Sequence, residues 1–154
     1  HVSSRRQRQM CIRDSKKCVE EILPKAIINI FGITEIKETS LYLDKTKFFD
    51  ASNYVKGWIG PDADIDTISK TLSPIYLLDE IDINVLTIHG TKDRWVPYDQ
   101  AVLLDQKLGN QHQLLTIDGG GHYYFSEEED EIIRQTISSF LRSNFNMSTK
   151  ELQD

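Results

Sequence analysis

Two stretches decide how this chain reads: His89-Gly90-Thr91-Lys92-Asp93-Arg94-Trp95-Val96-Pro97 and Gly119-Gly120-Gly121-His122. The first follows a short apolar run, Asn84 to Ile88, with the composition of a buried strand. It sets one carboxylate, Asp93, in the turn just past that strand's end. The second follows another apolar run, Gln113 to Ile117, and puts one imidazole, His122, on a glycine-rich loop. Between them lies a helix signal, with Pro97 and Asp99 at its start and Ala101, Leu104 and Leu108 on one face. Gly109-Asn110 ends it. Strand, helix and strand in that order give neighbouring parallel strands whose carboxyl ends share one edge. Asp93 and His122, 29 positions apart, are therefore expected to meet there.

Upstream, Ala26 to Phe31 is apolar and β-branched and stops at Gly32, which reads as another buried strand of the parallel type. Lys16 to Leu23 carries Val19, Ile22 and Leu23 on helical spacing and stops at Pro24, as the last turns of a helix would. Residues 35–72 show no clean period and read as a long excursion with one or two short helices, the second over roughly Ile65 to Lys70. A connection of that length inside a domain is more often functional than idle, and it suits a cap over a site. Downstream, Glu127 to Asp130 makes an acidic helix start. Ile132/Ile133, Thr136/Ile137 and Phe140/Leu141 then form a stripe every four residues that fits against a sheet. Residues 146–154 are a polar tail. The order α-β-excursion-β-α-β-α predicts an α/β fold with a parallel sheet.

Composition narrows the class. With 154 residues, 39% of them hydrophobic and 27% charged, the chain reads as one soluble globular domain. Its apolar runs are too short to span a bilayer. A net charge of −6 disfavours a nucleic-acid surface. Arginine clusters only in residues 1–15, where Ser4-Arg5-Arg6-Gln7-Arg8-Gln9-Met10-Cys11-Ile12-Arg13-Asp14 resembles a translated sequencing adapter of the kind found at the ends of metagenomic contigs. That stretch is expected to be an artefact and disordered, and it is set aside from the fold. The remainder holds 14 basic and 23 acidic residues, and Cys18 as its single cysteine. One cysteine builds neither a disulfide framework nor a zinc set, so the compartment stays open.

An acid and a histidine at adjacent strand ends are two thirds of a nucleophilic triad. In such a pair the carboxylate fixes the imidazole tautomer, and the other ring nitrogen takes a proton from the nucleophile. Taken alone, Asp93 is an ordinary turn residue and His122 an ordinary loop histidine; together, in that order, they read as the catalytic pair. His89 invites a metal reading with both, but its place at the end of an apolar strand favours a packed or hydrogen-bonded histidine. Neither metal nor cofactor is expected. His112, just before a strand, reads as a surface residue. Trp95 and the pair Tyr123-Tyr124 sit beside the acid and the histidine, as lining for an aromatic or sugar-linked acyl group or as packing.

These features resemble the C-terminal part of a serine-dependent α/β hydrolase. There the acid turn commonly reads His-Gly-x-x-Asp-x-x-Val-Pro, matched by His89 through Pro97, and the histidine loop reads Gly-x-Gly-His, matched by Gly119 through His122. The Ser73-Pro74 step and the Phe31-Gly32 strand ending recur there too. The likeness covers about residues 16–145 and points to the esterase and prolyl-oligopeptidase-like branch, acetyl- and feruloyl-esterase relatives included. It implies an incomplete α/β-hydrolase fold with sheet strands 6–8, a small-molecule ester as substrate, Asp93 as triad acid and His122 as base.

The family's nucleophile lies in a Gly-x-Ser-x-Gly elbow upstream of both, and no such motif occurs in these residues. Ser40, Ser52, Ser69 and Ser73 lack the flanking glycines, Ser126 follows the histidine, and Cys18 lies in a helical pattern. The chain is therefore expected to be an inactive fragment of an esterase. The alternatives are a peptidase of the prolyl-oligopeptidase-like type, a noncatalytic hydrolase-fold binding protein, and a flavodoxin-like domain. The last would need a glycine-rich phosphate loop at a strand-to-helix turn, which is not seen.

Overall fold

The computed structural model describes residues 24–46, 60, 62–80, 82–123 and 125–145. The basic stretch 1–15, the helical pattern ending at Leu23 with its Cys18, Ser52, Tyr124 and the tail 146–154 lie outside the described residues. In chain order the elements are β1 (Ala26–Ile30), α1 (Ile36–Thr46), α2 (Ile65–Leu72), β2 (Asn84–Gly90), α3 (Asp99–Leu108), β3 (His112–Ile117) and α4 (Glu127–Phe145). Short 3-10 turns occupy Pro74–Tyr76, Leu78–Glu80 and Gly109–Gln111.

β2 organises the rest. It pairs in parallel with β1 on one side, Ala26 opposite Asn84 and Ile30 opposite Ile88. On the other side it pairs in parallel with β3, Val85 opposite His112 and Gly90 opposite Ile117. A central parallel strand is covered on both faces, which is why β2 is buried continuously from Val85 to Gly90 rather than at alternate positions. On one face Val85 packs with Leu78, Leu104, Leu108 and Ile27. On the other, Leu86 and Ile88 pack with Ile117 and with Ile133, Ile137 and Phe140 of α4. Leu86 and Ile88 are fully buried, and each contributes about 1.5–3 kcal/mol by leaving water. The stripe expected on α4 thus meets the sheet, although Ile132 faces solvent.

α4 begins on a reciprocal cap: the Ser126 hydroxyl accepts from the Glu129 N–H at 3.2 Å, and the Glu129 carboxylate accepts from the Ser126 N–H at 2.7 Å. α3 ends at Gly109 in the left-handed region (φ 53°), as its sequence predicts. β3 starts earlier than expected, at His112, and this corrects the surface placement of that residue. Its side chain is fully enclosed, Nδ1 lying 2.8 Å from Asp105 Oδ1 and Nε2 2.8 Å from Thr87 Oγ1. A histidine that satisfies both ring nitrogens can begin a strand with its side chain enclosed and leave no polar atom stranded.

The excursion after β1 is tied down by a buried carboxylate. Glu35 accepts the backbone N–H of Lys37 and Glu38 at the start of α1 and the hydroxyls of Ser69 and Ser73. Gln100 of α3 accepts from the N–H groups of Thr34 and Glu35 at 3.0 and 2.7 Å. One polar hub therefore fixes α1, α2 and α3 against each other at the carboxyl end of the sheet.

Gly90 closes β2 where the chain enters the acid turn, and the backbone of the histidine loop lies against it. A Cβ added at Gly90 would come within 2.7 Å of the Gly121 carbonyl oxygen and closer still to Gly120. These obstacles are backbone atoms and do not rotate away. Gly90→Ala is expected to destabilise the chain by about 2–3 kcal/mol or more, read from the urea midpoint; an unchanged midpoint would contradict this packing.

Candidate active site

Asp93 enters the site from a turn built by its own side chain. Its Oδ1 accepts the backbone N–H of Trp95 at 2.8 Å and of Val96 at 3.0 Å, the local turn that a short carboxylate side chain favours. Oδ2 is left to face the histidine loop. There His122 Nδ1 donates to it at 2.6 Å. The two residues predicted from sequence are thus brought together, and the distance is that of a charge-assisted hydrogen bond.

Backbone contacts set the distance. After β2 and β3, the Thr91 N–H donates to the Ile117 carbonyl at 3.0 Å and the Lys92 N–H to the Gly120 carbonyl at 2.9 Å. The Thr91 hydroxyl accepts from the Gly119 N–H at 2.8 Å and donates to Asp118 at 3.1 Å. Gly119 has φ 76°, a conformation glycine adopts without steric cost, and this turn aims the loop back over the sheet edge.

The Asp93 side chain is fully buried. Burial raises its pKa, but hydrogen bonds from His89, His122, Val96 and Trp95 outweigh that effect, and the net result lies below the ordinary carboxylate value. It is an ionised acceptor at neutral pH. The His122 side chain is 13% exposed. With Nδ1 turned to Asp93, Nε2 sits on the opposite side of the ring, where a proton from a reacting hydroxyl would arrive.

Aromatic groups surround the pair. The Tyr123 ring stands edge-on to the His122 ring with centroids 4.1 Å apart and is 70% exposed. Trp95 presents its side chain at the surface beside the acid. Phe31, just past β1, has φ 52°, an uncommon conformation for a non-glycine residue. Its ring lies 5.0 Å from that of His122, 6.0 Å from that of His89 and 5.4 Å from that of Phe125. In the sequence Phe31 shows only as a strand ending; its φ and its place against His122 carry no local signal.

His89 is fully buried. Its Nε2 lies 3.0 Å from the Val96 carbonyl and 3.3 Å from Asp93 Oδ2, so it is the hydrogen-bonded histidine expected from its strand position. Among the described residues no group of three His, Cys, Asp or Glu side chains is arranged to hold a metal ion. Ser69 and Ser73 are buried and bonded to Glu35, and Ser126 caps α4.

The lowered Asp93 value carries a signed consequence. Its stabilising contribution is fully present above the unfolded carboxylate value of about 3.9 and is lost as pH falls through the folded one. The stability difference between the unaltered chain and Asp93→Asn should therefore shrink on acidification below about pH 4, read by urea titrations at successive pH values. A difference that grows there would contradict the hydrogen-bonding pattern.

The sequence model of the BD-FAE family matches residues 6–108, about two thirds of the chain, a span that includes Asp93 and stops before His122. No curated protein matches the sequence. Among solved structures, a Mycobacterium tuberculosis puromycin-hydrolyzing peptidase is similar with a TM-score of 0.70 and 23% identity, over 80% of this chain and 19% of that one. A Pyrococcus horikoshii acylaminoacyl peptidase is similar with a TM-score of 0.58 and 20% identity, over 80% and 20%. Acetyl xylan esterase 1 from Thermoanaerobacterium sp. is similar with a TM-score of 0.52 and 14% identity, over 74% and 38%. The chain thus spans well under half the length of each. These neighbours are α/β-hydrolase-fold enzymes, and the parallel β1-β2-β3 sheet with its flanking helices matches a section of that fold. This protein belongs to the BD-FAE family, and its described residues build part of an α/β-hydrolase fold.

Proposed function

We propose that this segment supplies the acid and the base of a serine hydrolase acting on carboxylic esters. The observation that carries the reading is the 2.6 Å hydrogen bond from His122 Nδ1 to a buried Asp93 carboxylate. Membership of the BD-FAE family and likeness to an acetyl xylan esterase support the ester side. In this reaction a serine hydroxyl attacks the ester carbonyl while His122 Nε2 accepts its proton. His122 then hands that proton to the departing alcohol, and water releases the acyl group by the same route. Asp93 stays ionised throughout, holding Nδ1–H and stabilising the imidazolium as it forms. The proposal requires a serine presented by residues other than these, since no Gly-x-Ser-x-Gly occurs in the sequence.

Trp95 and Tyr123 are the proposed substrate contacts, flanking the acid and the base with aromatic surface suited to an aromatic or sugar-linked acyl group. A second reading is cleavage of amide bonds in peptides, favoured by the likeness to the puromycin-hydrolyzing and acylaminoacyl peptidases.

In a protein that joins this segment to a glycine-flanked serine, p-nitrophenyl acetate should be turned over, and faster than an aminoacyl p-nitroanilide. Asp93→Asn should lower kcat by about 10⁴-fold and His122→Ala by about 10⁶-fold. Trp95→Ala and Tyr123→Ala should act mainly on KM. The 154 residues alone should give no turnover. A His122→Ala variant as active as its parent would end the proposal, and preference for the anilide would favour the peptide reading.

A further inference from the structure

We infer that His89 is a positioning residue for the acid: a neutral imidazole whose single Nε2–H is shared between the Val96 carbonyl and Asp93 Oδ2 and so helps to fix the carboxylate for His122. The inference rests on reading Asp93 and His122 as acid and base. Its warrant is the asymmetry of the His89 ring. Nε2 faces two acceptors, the Val96 carbonyl at 3.0 Å and Asp93 Oδ2 at 3.3 Å. Nδ1 is buried and has no hydrogen-bond partner among the described residues. An imidazole places its proton where acceptors are, so the tautomer is Nε2–H and Nδ1 keeps its lone pair. A proton on Nδ1 would instead be a buried donor without an acceptor, the costlier arrangement.

The surroundings hold the ring in that pose. Phe31 meets it edge-on at 6.0 Å and Tyr98 at 5.9 Å. The ring is thus clamped between two aromatic side chains, with no exposed surface of its own. The Val96 backbone closes the arrangement: its N–H donates to Asp93 Oδ1 while its carbonyl accepts from His89. Rotation of the carboxylate would break contacts with both the peptide and the ring, so Oδ2 stays aimed at His122. Because His89 acts as a neutral donor, it orients the anion without placing a second cation beside the imidazolium that forms on His122.

Imidazole ¹⁵N NMR on the 154-residue chain tests this without requiring turnover. The expected result is a His89 proton on Nε2 only and a slowly exchanging His122 Nδ1–H. In His89→Phe the His122 Nδ1–H should exchange about tenfold faster or lose its fixed tautomer. His89→Gln, which returns an amide donor to the Nε2 position, should restore it, and His89→Asn, which returns one to the Nδ1 position, should not. A His89 proton on Nδ1, or a His122 signal unchanged in folded His89→Phe, would overturn the inference. If His89→Phe does not fold, the tautomer in the unaltered chain and the Gln–Asn contrast decide. An unaltered chain with no fixed His122 Nδ1–H would instead sink the acid–base reading itself, and the two failures are told apart by which histidine departs.

Discussion

Asp93 is a carboxylate carried to the enclosed end of a parallel sheet, and a buried anion persists there only when donors surround it. Two backbone N–H groups of its own turn hold one oxygen, and two imidazoles address the other. Each donor comes from an element the fold must place: β2 brings His89, the turn after it brings Trp95 and Val96, and the loop after β3 brings His122. The site is thus an outcome of strand pairing. The register that sets Gly90 opposite Ile117 also brings the two loops that follow within hydrogen-bonding reach.

Much of this is legible in the sequence. The runs at Ala26, Asn84 and Gln113 are apolar because their strands are covered by helices, and a parallel sheet covered in that way carries its ligands at one end. The spacing of Asp93 and His122 followed from that topology. The acidic start and four-residue stripe of α4 found their counterparts, and the second helix of the excursion falls close to its expected span. What stayed hidden depends on contacts between residues far apart in sequence. His112 read as a surface residue because its partners, Thr87 and Asp105, are on other elements. Glu35, Ser69, Ser73 and Gln100 look like ordinary polar residues until the fold assembles them into one hub. Ser126 and Glu129 do carry a local signal, the serine–x–x–glutamate spacing of a helix start.

The role assigned to His89 illustrates the same division. Its strand position announced a packed histidine, and that is where the structure puts it. Which ring nitrogen faces the acid depends on the Val96 carbonyl, a group whose place is set by the turn that Asp93 itself caps. Local sequence supplied the parts, and long-range geometry supplied their orientation.

The backbone bonds that lace the Thr91–Lys92 turn to the Ile117–Gly120 turn have a mechanical consequence. Carboxylate and imidazole ride on a single stiffened ridge, although 29 positions separate them in the chain. Among the described residues β1 is an edge strand, and a displacement starting there would carry both partners in concert and leave the gap between them nearly constant. The pairing of these two side chains is thereby insulated from motions that would stretch groups carried by independent segments.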